Sequence, residues 1–426
     1  MSADVSTAVA RPNGAGASIR HRRTLPPMAA FVGTALGFAG LYLAAGAPTS
    51  LFVLFEREWG FPSWVLTVAF AAYAIGLLAT LVVAGSLSDY LGRRPVLIGS
   101  LVVELAAMLL FLFATDITGV IVARVIQGIA TGAATSAFTA SLVEVAPARF
   151  KRLGSIIGGT AAAGGLGLGA LLTGIAVQFT SNANVIVFTT LTVIMVIGLL
   201  VAIFSAETVS RRRGALRSLF SRVTIPAVAR PEFRASIAVH LAAWMLAGLV
   251  LGLVPTIIRD IFHIDSGLLT GITVFLEPGA AAVAGFVFGR FAARRTTLIG
   301  GVGVFAGTIV IVAAIVLGVL PLVWVGGLIG GAGFGASFSG ALRTVGPLAN
   351  PHERAGLFAA VYVVAYLAFG VPVIIAGQLI APLGLLTTVL IFGAAIVVAA
   401  AVGVGAQLRM ARRAVSSEET GTPRKL

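Results

Sequence analysis

Residues 63–112 read SWVLTVAFAAYAIGLLATLVVAGSLSDYLGRRPVLIGSLVVELAAMLLFL, two long apolar runs separated by a short charged segment from Asp89 to Arg94. Each run is close to the ~20 residues that a helix needs to cross ~30 Å of hydrocarbon. Charged side chains are costly in lipid, so the segment between the runs is predicted to leave the membrane. This stretch therefore predicts two consecutive membrane-spanning helices joined by a tight loop.

The composition of the whole chain points the same way. Of its 426 residues, 58% are apolar and 10% are charged, and a soluble protein could not cover that much apolar surface. The net charge of +14 is spread between apolar segments and not gathered on one basic domain, so no nucleic-acid partner is predicted. The chain has no cysteine, which leaves no disulfide, no thiolate metal site and no cysteine nucleophile.

Twelve apolar runs of spanning length follow one another. They begin at Pro27, Ser63, Pro95, Thr118, Gly154, Asn184, Arg234, Gly267, Thr296, Pro321, His352 and Leu383. The fifth and tenth runs are rich in glycine, which lowers helix propensity. Residues 1–25 lack an apolar core, so no cleavable signal peptide is predicted and the first helix is expected to remain as an anchor.

Basic residues are biased to one side when the twelve spans are threaded in order. That side receives Arg20, Arg22, Arg23, Arg93, Arg94, Arg149, Lys151, Arg152, the run from Arg211 to Arg230, Arg290, Arg294, Arg295, Arg354 and the tail from Arg409 to Lys425. The other side receives only Arg57 and Arg259. The positive-inside rule then predicts a multi-pass protein of the cell inner (plasma) membrane with both termini cytoplasmic.

The longest polar connection divides the chain into two halves. The predicted parts are a cytoplasmic tail (1–26), a six-helix bundle (27–206), a cytoplasmic central loop (207–233), a second six-helix bundle (234–407) and a cytoplasmic tail (408–426). The sequence RRPVLIG after the second span resembles RRTTLIG after the eighth. Such repeats predict a pseudo-two-fold axis along the membrane normal, with a binding site between the halves. We expect a monomer in the lipid bilayer.

The segment from Gly85 to Pro95, GSLSDYLGRRP, resembles the loop signature G-x-L-x-D-x-x-G-R-R/K of the major facilitator superfamily. With the two groups of six spans, the resemblance extends from about Pro27 to Gln407. It implies an all-α membrane protein with the major facilitator fold, which transports a small-molecule substrate and is not an enzyme. No cofactor is expected, and no phosphate-binding G-x-x-x-x-G-K-[ST] sequence for ATP coupling is present.

The same resemblance implies a cytoplasmic gate. Its residues are Gly85, Asp89, Gly92, Arg93, Arg94 and Glu144, with Glu144 as the partner of Arg93. In such transporters the loop acid holds the gate shut near the N-terminus of the eleventh helix, where the helix dipole is positive. Asn350 is predicted to cap that helix, with Pro351 at its first position and Glu353 three residues after the cap. The second half has Arg290 and Ala293 at the positions of Asp89 and Gly92, so the gate is predicted to be asymmetric. The alternative is that the loop charges only set topology.

Three ionisable residues are predicted to lie inside the membrane and are the candidates for proton coupling. Arg124, with Gln127 and Gly128, resembles the R-x-x-Q-G pattern of the fourth helix in the same superfamily. A buried arginine calls for an acidic partner, and Glu104 on the third span could reach it. Glu277 lies in the eighth span before Pro278, where an apolar environment lets a carboxyl exchange protons near neutral pH. The alternative for Glu277 is a structural carboxyl bonded to a broken helix.

Two further patterns have alternatives that the sequence leaves open. The glycine-rich fifth span resembles an element of drug and proton antiporters, although it lacks the usual Gly-Pro pair, and the spacing of Gly165 and Gly169 also favours close helix packing. Aromatic and histidine side chains are candidates for a substrate cavity or for simple packing. The cavity candidates are Tyr42, His240, Trp244, Tyr362 and Tyr366.

No metal site is predicted, because Asp260, His263 and Asp265 occupy a solvated outer loop. Glu56 and Glu58 are interpreted as loop charges.

The leading hypothesis is proton-coupled export of small amphipathic or hydrophobic compounds by alternating access. The alternative is a proton-coupled carrier of a sugar, organic acid or amino acid. The charge of the cavity distinguishes them, since Arg124 and Arg343 would favour an anion if they faced it.

Overall fold

A computed structural model describes residues 24–214, 223–350 and 353–419, which are helical apart from turns and loops. Twelve segments of this part are long and apolar enough to cross a membrane, which confirms the predicted all-α fold with about twelve spans. We number them spans 1 to 12. Their helices are Pro27–Gly46 with Pro48–Trp59, Trp64–Ala84, Arg93–Leu112, Ile117–Glu144, Lys151–Phe179, Ala183–Phe204, Arg230–Asp260, Gly267–Val287, Ala293–Leu317, Leu320–Val345, Arg354–Leu383 and Leu385–Glu419.

Short helical turns mark several loops. They are Leu87–Leu91, Ala148–Phe150, Ala227–Ala229, Phe288–Arg290 and Gly346–Leu348. The predicted starts of the spans lie within about one helical turn of the observed ones, except that the start predicted at His352 falls outside the described residues.

The two halves repeat one packing pattern. In the first half, span 2 packs on span 4, span 3 on spans 4 and 6, and span 1 on spans 5 and 6. In the second half, span 8 packs on span 10, span 9 on spans 10 and 12, and span 7 on spans 11 and 12. Between the halves, span 5 packs on span 8 and span 2 on span 11. Each of these pairs has its counterpart six spans away, as the major facilitator fold requires.

Glycine allows the closest of these approaches. A Cβ on Gly174 of span 5 would stand 2.8 Å from the Gly271 Cα of span 8. Toward span 1, a Cβ on Gly165 would stand 2.6 Å from the Tyr42 Cβ, and one on Gly169 would meet the Leu43 carbonyl. Packing therefore accounts for Gly165, Gly169 and Gly174 of span 5, because helices in lipid associate through small residues.

The bundle has two ends, which we name by their loops. The motif face carries the loop between spans 2 and 3, with Asp89, and the opposite face carries the loop between spans 1 and 2, near Glu56. The charge bias predicts that the motif face is cytoplasmic.

Labelling of single cysteines tests this orientation. We expect cysteines replacing Asn13, Gly214 and Ser416 to react with a membrane-impermeant maleimide only after the cytoplasmic side is made accessible, because all three are predicted on the positive side. The absence of native cysteine makes wild type a clean blank. A Cβ on Gly214 would stand 3.8 Å from the Tyr90 ring, beside the motif loop, whereas Asn13 lies outside the described residues. Labelling of the Gly214→Cys variant from outside intact cells would contradict the orientation.

Candidate functional site

The motif loop gathers three of the predicted gate residues. The Arg93 guanidinium donates from Nη1 to Asp89 Oδ1 at 2.5 Å and to Ser88 Oγ at 2.7 Å. Its Nη2 lies 3.3 Å from Glu144 Oε1, at the end of span 4. The Gly85 carbonyl accepts from Ser136 Oγ at 2.8 Å, which fixes the loop to span 4 as well. In this conformation the ionic contacts of Arg93 all lie within the first half.

Glu207 belongs to this loop although its position in the sequence gave no sign of it. Its carboxylate accepts from the backbone N–H groups of Arg93 at 2.9 Å and Arg94 at 3.1 Å, so it caps the N-terminus of span 3 and complements the helix dipole. Gly92 is required here for two reasons. Its φ is +98°, and a Cβ would stand 2.5 Å from Glu207 Oε2. Arg94 also donates to the Ile203 carbonyl of span 6.

The start of span 11 differs from the prediction. The helix begins at Arg354 with Glu353 at the N-cap position, and no side chain caps it. Asn350 is not at the N-cap position, and its backbone N–H and its Nδ2 both donate to Glu353 Oε2, at 3.3 and 3.0 Å. Pro351 lies outside the described residues.

The second half holds its corresponding loop without an acid. Arg343 of span 10 donates to the carbonyls of Phe291 at 2.8 Å, Phe288 at 3.1 Å and Gly289 at 3.2 Å. Backbone carbonyls thus replace the carboxylates of the first half, and the two loops are asymmetric. The donors of Arg343 are occupied by this loop.

Arg124 stabilises a break in span 1. Pro48 has no N–H, so the Ala44 carbonyl one turn earlier has no donor within the helix. Gln127 Nε2 donates to that carbonyl at 3.0 Å, and Arg124 Nη1 donates to the next one, Ala45, at 2.9 Å. The Arg124 guanidinium also lies 4.4 Å from the Tyr73 ring centroid, within cation–π range.

The predicted pairing of Glu104 with Arg124 is indirect. Gln127 lies between them, accepting from Arg124 Nη1 at 2.7 Å and donating from Nε2 to Glu104 Oε1 at 3.2 Å. No ion pair joins Glu104 to Arg124 among the described residues, because the guanidinium is drawn toward the carbonyls of span 1. Glu104 is fully buried, and its Oε2 has no hydrogen-bond partner in the described part of the chain.

Glu277 is buried in span 8, and the next residue, Pro278, contacts span 5 of the first half. Its side chain is 1% exposed, and its Oε1 has no hydrogen-bond partner among the described residues. A Cβ on Gly331 of span 10 would stand 2.8 Å from the Glu277 Cα, and one on Gly167 of span 5 would stand 2.9 Å from the neighbouring Pro278 ring. The helix continues through Pro278, so the break that the structural alternative assumes is not seen in span 8.

Four of the five cavity candidates meet in what we call the aromatic box. The box consists of His240 and Trp244 of span 7, Phe334 and Phe338 of span 10, and Tyr362, Tyr366 and Phe369 of span 11, with neighbouring ring centroids 5.1 to 6.4 Å apart. Phe369 packs on Phe70 of span 2 at 4.7 Å, so the box borders the first half. The fifth candidate, Tyr42, is bonded to Thr135 at 2.9 Å on the first-half side.

The opposite face carries ion pairs that sequence reasoning missed. Glu56 pairs with Arg259 of span 7 and accepts from Ser63, and Arg57 Nη1 lies 2.8 Å from Asp265. The interpretation of Glu56 as a loop charge was therefore wrong, since it lies in a helix and joins the halves. Asp260 likewise binds Arg259, at 2.5 Å. Among the described residues, the ion pairs between halves all lie at this face.

The geometry defines a membrane protein of two repeated six-helix halves, with buried ionisable groups in each half and an aromatic box in the second half that borders the first. Comparison with known proteins agrees, since the profile of the Major Facilitator Superfamily matches residues 31–319. The chain belongs to this superfamily, as its motif loop and repeated halves predicted.

The relatives are less specific. Two uncharacterized MFS-type transporters of Mycobacterium tuberculosis, from strains CDC 1551 / Oshkosh and ATCC 25618 / H37Rv, are each 35% identical over 116 residues. The match covers 26% of this chain and 16% of each of those proteins. This chain is thus similar to a short part of each relative.

Proposed function

We propose that this protein is a proton-coupled secondary transporter that exports small amphipathic or hydrophobic compounds from the cytoplasm by alternating access, in the manner of the drug and proton antiporters. Glu277 carries the proposal. A buried carboxyl that has no cationic partner among the described residues, one residue from the contact between two halves that must move, suits a group that is protonated when enclosed and ionised when exposed to water.

The contacts between the halves support alternating access. Toward the opposite face, spans 5 and 8 are joined at Gly174 and Gly267, and the pair of Glu56 with Arg259 lies near that end. Toward the motif face, the span 5 glycines Gly154 and Gly158 contact Leu142 and Thr139 of span 4 in the same half, and not span 8. We therefore propose that this conformation is closed at the opposite face and open at the motif face.

The charges near the cavity favour this cargo over an anionic metabolite. The sequence predicted that Arg124 and Arg343 would favour an anion if they faced the cavity. In the structure both side chains donate hydrogen bonds to backbone carbonyls. Glu104 and Glu277 are also buried, and either one would repel a carboxylate when ionised. Apolar walls with few fixed charges suit neutral or hydrophobic compounds.

Proteoliposomes provide the test. Purified protein is reconstituted, a pH gradient is imposed, and accumulation is measured for a panel of lipophilic drugs, sugars, organic acids and amino acids. We expect accumulation of lipophilic compounds that an uncoupler abolishes. Uncoupler-insensitive movement, or accumulation confined to metabolites, would contradict the proposal.

The gate assignment predicts that loss of the Asp89 charge in the motif loop slows transport without abolishing it. We expect Asp89→Asn to slow transport by roughly five- to thirty-fold while leaving membrane insertion and ligand binding intact. An acid near a helix N-terminus contributes at most about 1 to 2 kcal/mol, and its loss shifts a two-state equilibrium by that factor. Initial transport rates per inserted molecule measure it. Glu58→Gln, which removes an exposed carboxylate at the opposite face, is the matched control. Equal transport rates in Asp89→Asn and Glu58→Gln would contradict the gate assignment. The loop charges would then only set the topology.

A further inference from the structure

The aromatic box contains polar atoms that its neighbours do not use. The Trp244 Nε1 and both ring nitrogens of His240 are buried and have no hydrogen-bond partner among the described residues. Tryptophan can only donate, and a neutral histidine offers one donor and one acceptor. Buried donors without acceptors are unfavourable, so a group that reaches them and accepts would be bound.

The chain itself shows that such a donor can be satisfied. Trp324 of span 10, outside the box, donates from Nε1 to Thr273 Oγ1 of span 8 at 2.8 Å. Trp244 Nε1 makes no such bond in the described part of the chain, although four other rings of the box surround the indole at 5.1 to 5.9 Å. Trp244 and His240 are therefore a buried pair of polar side chains without partners in the described residues, in contrast to Trp324.

The rings around these donors determine what else a ligand needs. His240 stacks on Phe338 at 5.5 Å and 15°, and the side chains of Trp244, Phe338 and Tyr362 are each partly exposed. Aromatic faces and edges bind a flat ring by offset stacking and edge contacts. An aromatic compound that enters between the halves would therefore find several rings to pack against.

The charges around the box exclude two ligand classes. None of the hydrogen bonds or ion pairs found in the described residues brings a carboxylate to the seven rings, so a cation at the rings would rely on cation–π attraction and would meet N–H donors. An anion would lose its hydration without gaining a cation, because no ion pair, hydrogen bond or cation–π contact in the described residues brings a lysine or arginine to the seven rings. A neutral ligand avoids both costs.

We infer that the aromatic box selects neutral aromatic compounds bearing an acceptor oxygen, and that Trp244 and His240 are the specificity-determining residues which donate hydrogen bonds to that oxygen. The inference rests on the proposed function, since it names the substrate class of the same central path. It is tested by a binding measurement, and that measurement does not depend on whether transport is coupled to protons.

The experiment compares matched probes on the full chain in lipid nanodiscs. 2-Acetylnaphthalene carries one carbonyl oxygen, 2-isopropenylnaphthalene replaces that oxygen with a methylene group of similar shape, and trimethyl(2-naphthyl)ammonium carries a cation. Equilibrium dialysis, with empty nanodiscs as the blank for partition into lipid, gives each Kd. We expect wild type to bind the acetyl compound about five- to thirty-fold more tightly than the isopropenyl compound, and the cation more weakly than the acetyl compound.

The variants separate recognition from packing. Trp244→Phe keeps an aromatic ring and removes the N–H, so the ratio of the two Kd values should fall toward one. His240→Phe should lower the ratio in the same direction. Trp324→Phe, which removes the already bonded indole donor, is the matched control and should keep the wild-type ratio. A ratio within one protein is insensitive to the fraction of folded molecules.

Three outcomes would overturn the inference. These are an unchanged ratio in Trp244→Phe, tightest binding of the cation, and no binding of any probe by wild type. In each of these cases uncoupler-sensitive accumulation of another compound in proteoliposomes would leave the proposed function standing, so the two failures are distinguishable.

Discussion

Replacing Glu277 with glutamine should abolish proton-driven accumulation of substrate while leaving substrate exchange across the membrane measurable. Glutamine resembles the protonated carboxyl in size and cannot ionise, so the variant should complete the conformational change without carrying a proton. The Glu277 side chain is 1% exposed, and its Oε1 has no hydrogen-bond partner among the described residues. The substitution therefore breaks no hydrogen bond at that atom.

Two assays on the same proteoliposomes separate coupling from movement. Accumulation under an imposed pH gradient should fall to the level seen without a gradient, and exchange of labelled for unlabelled substrate should continue. Glu104→Gln is the matched control, because Glu104 is equally buried but lies within the first half and is bonded to Gln127. If Glu277→Gln concentrates substrate at the normal rate, Glu277 is structural, and Glu104 or another ion becomes the candidate.

Disulfides across the two contacts between the halves should arrest transport completely. A Cβ built on Gly370 of span 11 lies 3.5 Å from the Ala74 Cβ of span 2, and one built on Gly164 of span 5 lies 3.6 Å from the Ala282 Cβ of span 8. Both distances lie within the ~3.5 to 4.5 Å that a disulfide spans. Oxidised Ala74→Cys/Gly370→Cys and Gly164→Cys/Ala282→Cys proteins cannot separate their halves at these contacts, so transport should fall to background and return on reduction.

The control for this experiment comes from one half of the molecule. A Cβ on Gly119 lies 3.5 Å from the Ala114 Cβ, and both residues lie in the loop and first turn between spans 3 and 4. Ala114→Cys/Gly119→Cys should therefore oxidise equally well and keep its transport rate. Mass spectrometry measures the cross-link in every sample. If a protein that is fully cross-linked between the halves still transports at the full rate, the transport cycle does not require the halves to separate at that contact.

The predictable parts of the site are those with a local signal. Asp89 and Arg93 stand four residues apart in a recognisable loop, and Arg124 and Glu277 are charges inside apolar runs, so each could be selected from its neighbours in sequence. The contacts that each of these residues makes were harder to predict from the sequence. Glu104 was expected beside Arg124, and the structure inserts Gln127 between them because the broken span 1 offers carbonyls that need donors.

The sequence by itself determined the membrane class, the number of spans and the motif loop, because transfer of an apolar run into lipid depends on the composition of that run alone. Only the tertiary structure decided which residues pair with Glu56 and Glu207. It alone also decided that the donors of the aromatic box have no partner among the described residues. Glu56 meets Arg259 and Glu207 meets Arg93 across more than a hundred residues of chain, and the two nitrogens of His240 stay unpaired because of what packs around them. Such contacts are set by how helices far apart in sequence are brought together, and hydropathy carries no information about that.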